Sequence, residues 1–214
     1  MLDLPRSTEF NRKIPKNKFY QNAAIDKELK EYFVKNIMEV VWQNKISAAT
    51  VNLKAAGGVE EIEVFMVRLR STSVNEKVLR EIDRAVPYHI LFLLECEGKY
   101  RAAIAYKEIA AEMVKVGDYY QTPWLKAEEL TLKLAGLDLA AAYENFVRQI
   151  AGSELTKNAG ESLKNSVERS AREAVLSKKI KKLQDKMRKE PQLNRQMELR
   201  GEIKRLEKIL EGDN

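Results

Sequence analysis

Apolar residues recur at two different intervals along this chain, and the change of interval marks out its elements. From Ile25 the set Ile25, Leu29, Tyr32, Phe33, Ile37, Val40 and Val41 follows a three-to-four spacing. That spacing predicts one helix of about five turns, with Asp26 near its start. After Trp42 the β-branched runs "KISAATVNL" and "VEEIEVFMVRL" lie on either side of "AAGG", which predicts two strands paired as a hairpin. Val78, Leu79, Ile82, Ala85 and Val86 then share a helical face that Pro87 closes. A nearly continuous apolar run, "YHILFLLEC", a turn at Gly98 and a second run through Tyr106 predict another hairpin, its first strand buried on both faces. A strand is expected before Pro123, and the alternating Leu130, Leu132 and Leu134 suggest another. Leu139, Tyr143, Phe146, Val147 and Ile150 return to helical spacing and end at Gly152.

The alternation of helices and strand pairs points to an α+β fold, a mixed or antiparallel sheet with packed helices. Residues 1–19 contain Pro5, Pro15 and several basic residues but no periodic apolar face, and read as a basic N-terminal arm. The α+β domain is placed at residues 20–154 and a helical tail at 160–212. Within that tail Leu176, Ile180, Leu183 and Met187 step by four, three and four, and Leu199, Ile203, Leu206 and Leu210 repeat the steps after Pro191. Two such seams predict a C-terminal helical hairpin or coiled coil, closed on itself or paired with a partner helix.

Charge sharpens the division. Residues 155–214 carry sixteen Lys/Arg against ten Asp/Glu, while the other 22 and 22 cancel. The whole excess of +6 therefore lies in the tail. Lys178, Lys179, Lys181, Lys182, Lys186, Arg188 and Lys189 are opposed nearby only by Asp185. Such a run can neutralise phosphates in a salt-sensitive way, or simply solvate the outside of a coiled coil. No aromatic residue follows Phe146, so base stacking is not expected of the tail and any readout would be of the backbone. Arg12, Lys13, Lys16 and Lys18 make a second basic region.

Catalytic chemistry finds little to stand on. With one cysteine, Cys96, and one histidine, His89, the usual Cys/His zinc sites and an internal disulfide are excluded. His89 sits in a run that reads as buried strand, where a core histidine is the expectation. No Walker or dinucleotide glycine motif occurs. A Mg²⁺-dependent nuclease using Glu61, Glu63 and Glu95 requires those carboxylates to converge; solvation of strand edges is the competing explanation. No resident metal or cofactor is expected. No run of eighteen apolar residues and no signal-like leader occurs, so no membrane association and a cytoplasmic location are expected.

The segments "LPRSTEFNRKIPKNKFY", "VVWQNKISAATVNL", "VEEIEVFMVRL", "IDRAVPYHILFLLE", "AAIAYK" with Trp124, and "EPQLNRQMELRGEIKRLE" together resemble the bacterial and archaeal domain-of-unknown-function family 4391, over nearly the whole chain. The resemblance implies a context of restriction-like and phage-defence loci, beside DNA methyltransferases and helicases, with no established catalytic motif. The resulting expectation is a non-enzymatic accessory subunit of a DNA-defence or restriction-modification system. Its partners would be helicase or methyltransferase subunits and duplex DNA. The two basic regions would contact DNA and the seam residues would hold the hairpin or a partner. The alternatives are the divergent nuclease and a purely structural coiled-coil adaptor.

Overall fold

A computed structural model describes residues 2–20, 25–110, 113–155 and 160–212. Residues 1–152 and 153–214 form two compact units. In the first, the strands are β1 (Leu2–Asp3), β2 (Glu9–Ile14), β3 (Ile37–Ser47), β4 (Glu61–Leu69), β5 (His89–Cys96), β6 (Lys99–Ala110), β7 (Met113–Gln121) and β8 (Leu132–Lys133). Its α-helices are α1 (Asn17–Tyr20), α2 (Lys27–Asn36), α3 (Glu76–Ala85) and α4 (Leu139–Ala151). Strands β2 to β7 lie in sequence order in one six-stranded sheet, and β1 pairs with β8 in a separate two-stranded one. All neighbours in the large sheet are antiparallel except β4 and β5, which are parallel. That parallel pair needs a crossover, and α3 supplies it. The fold is α+β with a mixed sheet.

The long helix expected from Ile25 to Val41 stops at Asn36. Ile37, Val40 and Val41 belong to β3 instead, because a run of β-branched and aromatic side chains packs better on a pleated strand than on a helix. Asp26 caps α2 by accepting from the Leu29 N–H at 2.7 Å. Strands β3 and β4 do pair antiparallel, but residues 48–60 separate them and "AAGG" closes only a small local bridge between Ala56 and Val59. The β5–β6 connection is the tight one. Glu97 and Gly98 both have positive φ, 51° and 74°, the signature of a two-residue turn matched to strand twist.

The stretch read as an extended arm contributes an edge strand. Strand β2 pairs with β3 in a register that sets Arg12 opposite Trp42 and Lys13 opposite Val41. One face of the sheet buries Phe65, Val67, Phe92 and Leu94 against Phe33 of α2 and Val78, Leu79 and Ile82 of α3. Each such side chain contributes about 1.5–3 kcal/mol when fully buried. Helix α4 lays its Tyr143 ring beside His89, with centroids 4.4 Å apart.

The second unit contains α5 (Leu163–Lys189) and α6 (Leu193–Gly212). Ser162 caps α5 through the Asn165 N–H at 3.2 Å, and Pro191 falls in the break between the helices, where its missing N–H costs nothing. The hairpin closes on itself: Ile180, Ile203 and Leu206 are buried together, with Leu176, Leu183 and Met187 packed around them.

Candidate functional site

Closure of the hairpin fixes where its charges go. Side chains four residues apart share a helix face, and each residue advances about 100°. Lys178, Lys182 and Lys189 therefore fall within about 40° of one another, on the side of α5 away from Ile180 and Met187. Lys181 and Arg188 flank this strip on one side, and Lys179 and Lys186 on the other. All seven are exposed, and the strip runs about 16 Å from Lys178 to Lys189 at 1.5 Å per residue. Lys179 is drawn to Glu202 of α6 at 3.1 Å. Lys186 lines a recess with Glu190, Arg195, Glu198, Leu199 and Glu202. Arg188 reaches Asp185 at 3.7 Å. Lys178, Lys181, Lys182 and Lys189 make no ion pair among the described residues.

The seam residues Leu176, Ile180, Leu183, Met187, Leu199, Ile203, Leu206 and Leu210 divide differently. The first four and Ile203 and Leu206 make the hairpin core, while Leu199 and Leu210 are half-buried. Val175 of α5 and Ile209 of α6 face outward, 68% and 51% exposed, as do Leu193 and Met197, 70% and 66% exposed and one turn apart on α6.

The N-terminal basic region is not one patch. Lys16 is half-buried, and its ammonium donates to the carbonyls of Phe33, at 3.3 Å, and Ile37. It caps the C-terminal end of α2, where orphan carbonyls and the helix dipole favour a cation. Burial, and then Arg70, push its pKa down. Lys13 pairs with Glu39 at 2.8 Å. Glu39 also meets Arg68 at 2.8 Å, and Arg68 meets Glu95 at 3.5 Å, so one charge ladder crosses β2 to β5. Lys13 and, through its charge, Arg68 hold the Glu39 carboxyl below the usual range despite partial burial. Arg12 is exposed with its guanidinium 5.4 Å from the Phe10 ring centre, and Phe10 lies 4.2 Å from Trp42. Lys18 is exposed on α1.

The three carboxylates proposed for a nuclease do not converge. Glu63 is in register with Ile90, and Arg68 with Glu95, so Glu95 is five residues, about 16 Å, further along and on the opposite face. No three His, Cys, Asp or Glu among the described residues are grouped to hold a metal. Solvation at a strand edge does not explain Glu63 either, since β4 is an interior strand and Glu63 is 1% exposed. Glu61 lies two residues away on the same face and pairs with Lys45 at 2.8 Å. Burial first, and then the neighbouring Glu61, push the Glu63 carboxyl up to about 8.

A second buried polar group was hidden in "AAIAYKE". Lys107 donates to the carbonyls of Asp83, Val86 and Tyr88 at 2.6, 2.7 and 2.6 Å, closing the C-terminal end of α3. Asp83 Oδ2 accepts from the Tyr119 hydroxyl. Burial raises Asp83 to about 6 against the pull of Lys107. His89 Nε2–H donates to the Lys107 carbonyl at 3.1 Å. That fixes the tautomer and leaves Nδ1 as a buried acceptor without a partner. Burial lowers the imidazole to about 4. It is a neutral core histidine at pH 7, packed against the Tyr143 ring, with no carboxylate among its hydrogen-bond partners in the described residues. The Cys96 thiol is buried and pushed up, chiefly by desolvation, the opposite of an activated nucleophile.

These features define a mixed-sheet α+β protein carrying a basic helical hairpin. The chain belongs to the family described as a domain of unknown function, DUF4391, whose model matches residues 2–210. No curated protein and no solved structure matches it. No helix among the described residues is long and apolar enough to cross a membrane.

Proposed function

We propose that this protein is a non-enzymatic accessory subunit of a multiprotein, cytoplasmic DNA-acting system of the restriction-modification or phage-defence kind, and that α5 contacts the duplex backbone. One observation carries the DNA contact: the hairpin satisfies its own seam and leaves Lys178, Lys181, Lys182 and Lys189 exposed and unpaired on the far side. A helix that merely needed solubility would gain as much from evenly mixed charges, whereas a strip of lysines interrupted only by Asp185, which Arg188 offsets, releases counterions on meeting phosphates.

The restriction-modification setting, with helicase and methyltransferase subunits as partners, rests on the family resemblance. Partner docking draws on Leu193 and Met197, an exposed apolar pair one turn apart at the start of α6 that a partner would cover. The separation of Glu95 from Glu61 and Glu63 favours binding over phosphodiester hydrolysis. Salt-dependent binding of a duplex by the full chain, lost on charge reversal in α5, is the test.

A further inference from the structure

We propose that Glu61 and Glu63 share one proton as a buried carboxyl–carboxylate pair, making the start of β4 a proton-binding site that Lys45 clamps from outside. Three buried carboxylate oxygens meet there without a donor among the described residues: both of Glu63 and Oε2 of Glu61. The other Glu61 oxygen, Oε1, is held by the Lys45 ammonium at 2.8 Å. Residues two apart on a strand point to one face, so the orphan oxygens of Glu61 and Glu63 lie on the same side of β4, and the neighbouring Glu61 adds to the burial that makes Glu63 hold its proton. Two ionised carboxylates in this position would repel one another, and the charge on Glu63 would also be desolvated. A single proton converts one of them into an O–H donor and fills the missing hydrogen bond.

Other groups facing the pair are few. From β3 come Lys45 and the Trp42 indole, both favouring the ionised form of Glu63; Tyr88, just before β5, bears on Lys45. His89 lies on the opposite face of the sheet, since Ile90 is the residue in register with Glu63. When the proton leaves for solvent, Lys45 alone faces two charges. The two carboxylates then repel one another in a desolvated site, and that repulsion is what the proton relieves.

The sign of the pH effect follows from the direction of the shift. A carboxyl that binds its proton more tightly when folded stabilises the fold fully below its unfolded pKa, near 4.5, and loses that stabilisation as pH rises toward about 8. The experiment is denaturant unfolding of the full chain between pH 5 and 9 beside Glu63→Gln, whose amide can still donate to Glu61. The folding constant of the wild type relative to the variant should fall by about tenfold per pH unit up to pH 8 and level off above it. A ratio that stays constant with pH would overturn the proposal. Infrared spectroscopy of the native wild type supplies a readout that does not depend on the variant folding. A protonated carboxyl band present at pH 7 and gone by pH 9 supports the shared proton, and its absence at pH 7 refutes it.

Discussion

Lys107 and Asp83 are the most deeply buried ion pair described in this protein, 3.3 Å apart with side chains 1% and 2% exposed. The pair joins β6 to the end of α3, and the ammonium spends its three protons mainly on carbonyl oxygens. Removing one partner leaves an uncompensated buried charge. Lys107→Met should therefore destabilise the first unit by about 3–5 kcal/mol, with the Lys107→Met/Asp83→Asn double variant recovering part of the loss. Urea unfolding followed by circular dichroism measures both.

Asp83 also predicts a pH signature. Its folded pKa, raised to about 6 from 3.8, means that its contribution to stability is complete below about pH 4 and is lost as pH rises through 6. In Asp83→Asn that part of the stability profile should vanish. Thermal melts from pH 3.5 to 7 on the two proteins would reveal it, and identical profiles would show that Asp83 carries no shift.

Lys16 discriminates a helix cap from a phosphate grip. Lys16→Ala should cost about 1 kcal/mol of stability through the lost carbonyl contacts and leave nucleic-acid affinity unchanged. Loss of affinity with unchanged stability would assign it to the grip instead.

The closed seam makes its own prediction. Ile203→Ala removes a buried side chain from the α5–α6 interface and should cost about 2–5 kcal/mol of hairpin stability. Leu193→Ala, at an exposed site, should cost less than about 0.5 kcal/mol. Helical circular dichroism during thermal unfolding separates them.

Strands were legible in the sequence where alternation and turn chemistry agreed, as at "ECEGKY", and so were the two tail seams. The α2–β3 junction was not, because Ile37, Val40 and Val41 satisfy helical spacing by coincidence while their β-branching favours a strand. The edge strand β2 was hidden because an exposed edge needs no apolar face, and all but one of its residues are exposed. Nothing in the spacing singled out Lys107, and Glu63 read as a strand-edge charge or a nuclease carboxylate. Their burial is a tertiary fact, set by the end of α3 for the one and by the place of β4 inside the sheet for the other. The lysines of α5 were legible as a run, but the run acquired a face only once the hairpin closed and placed the seam.

The measurement that bears most directly on the account is fluorescence anisotropy of a labelled DNA duplex titrated with the full chain across a salt series, beside Lys178→Glu/Lys182→Glu/Lys189→Glu. The account predicts wild-type affinity that falls steeply with salt, independent of base sequence. It also predicts that the triple variant, helical as before, binds far more weakly with a slope reduced by about three phosphate contacts. Duplex binding that is equal in the two proteins, or absent from both, would contradict the assignment of α5 to the phosphate backbone.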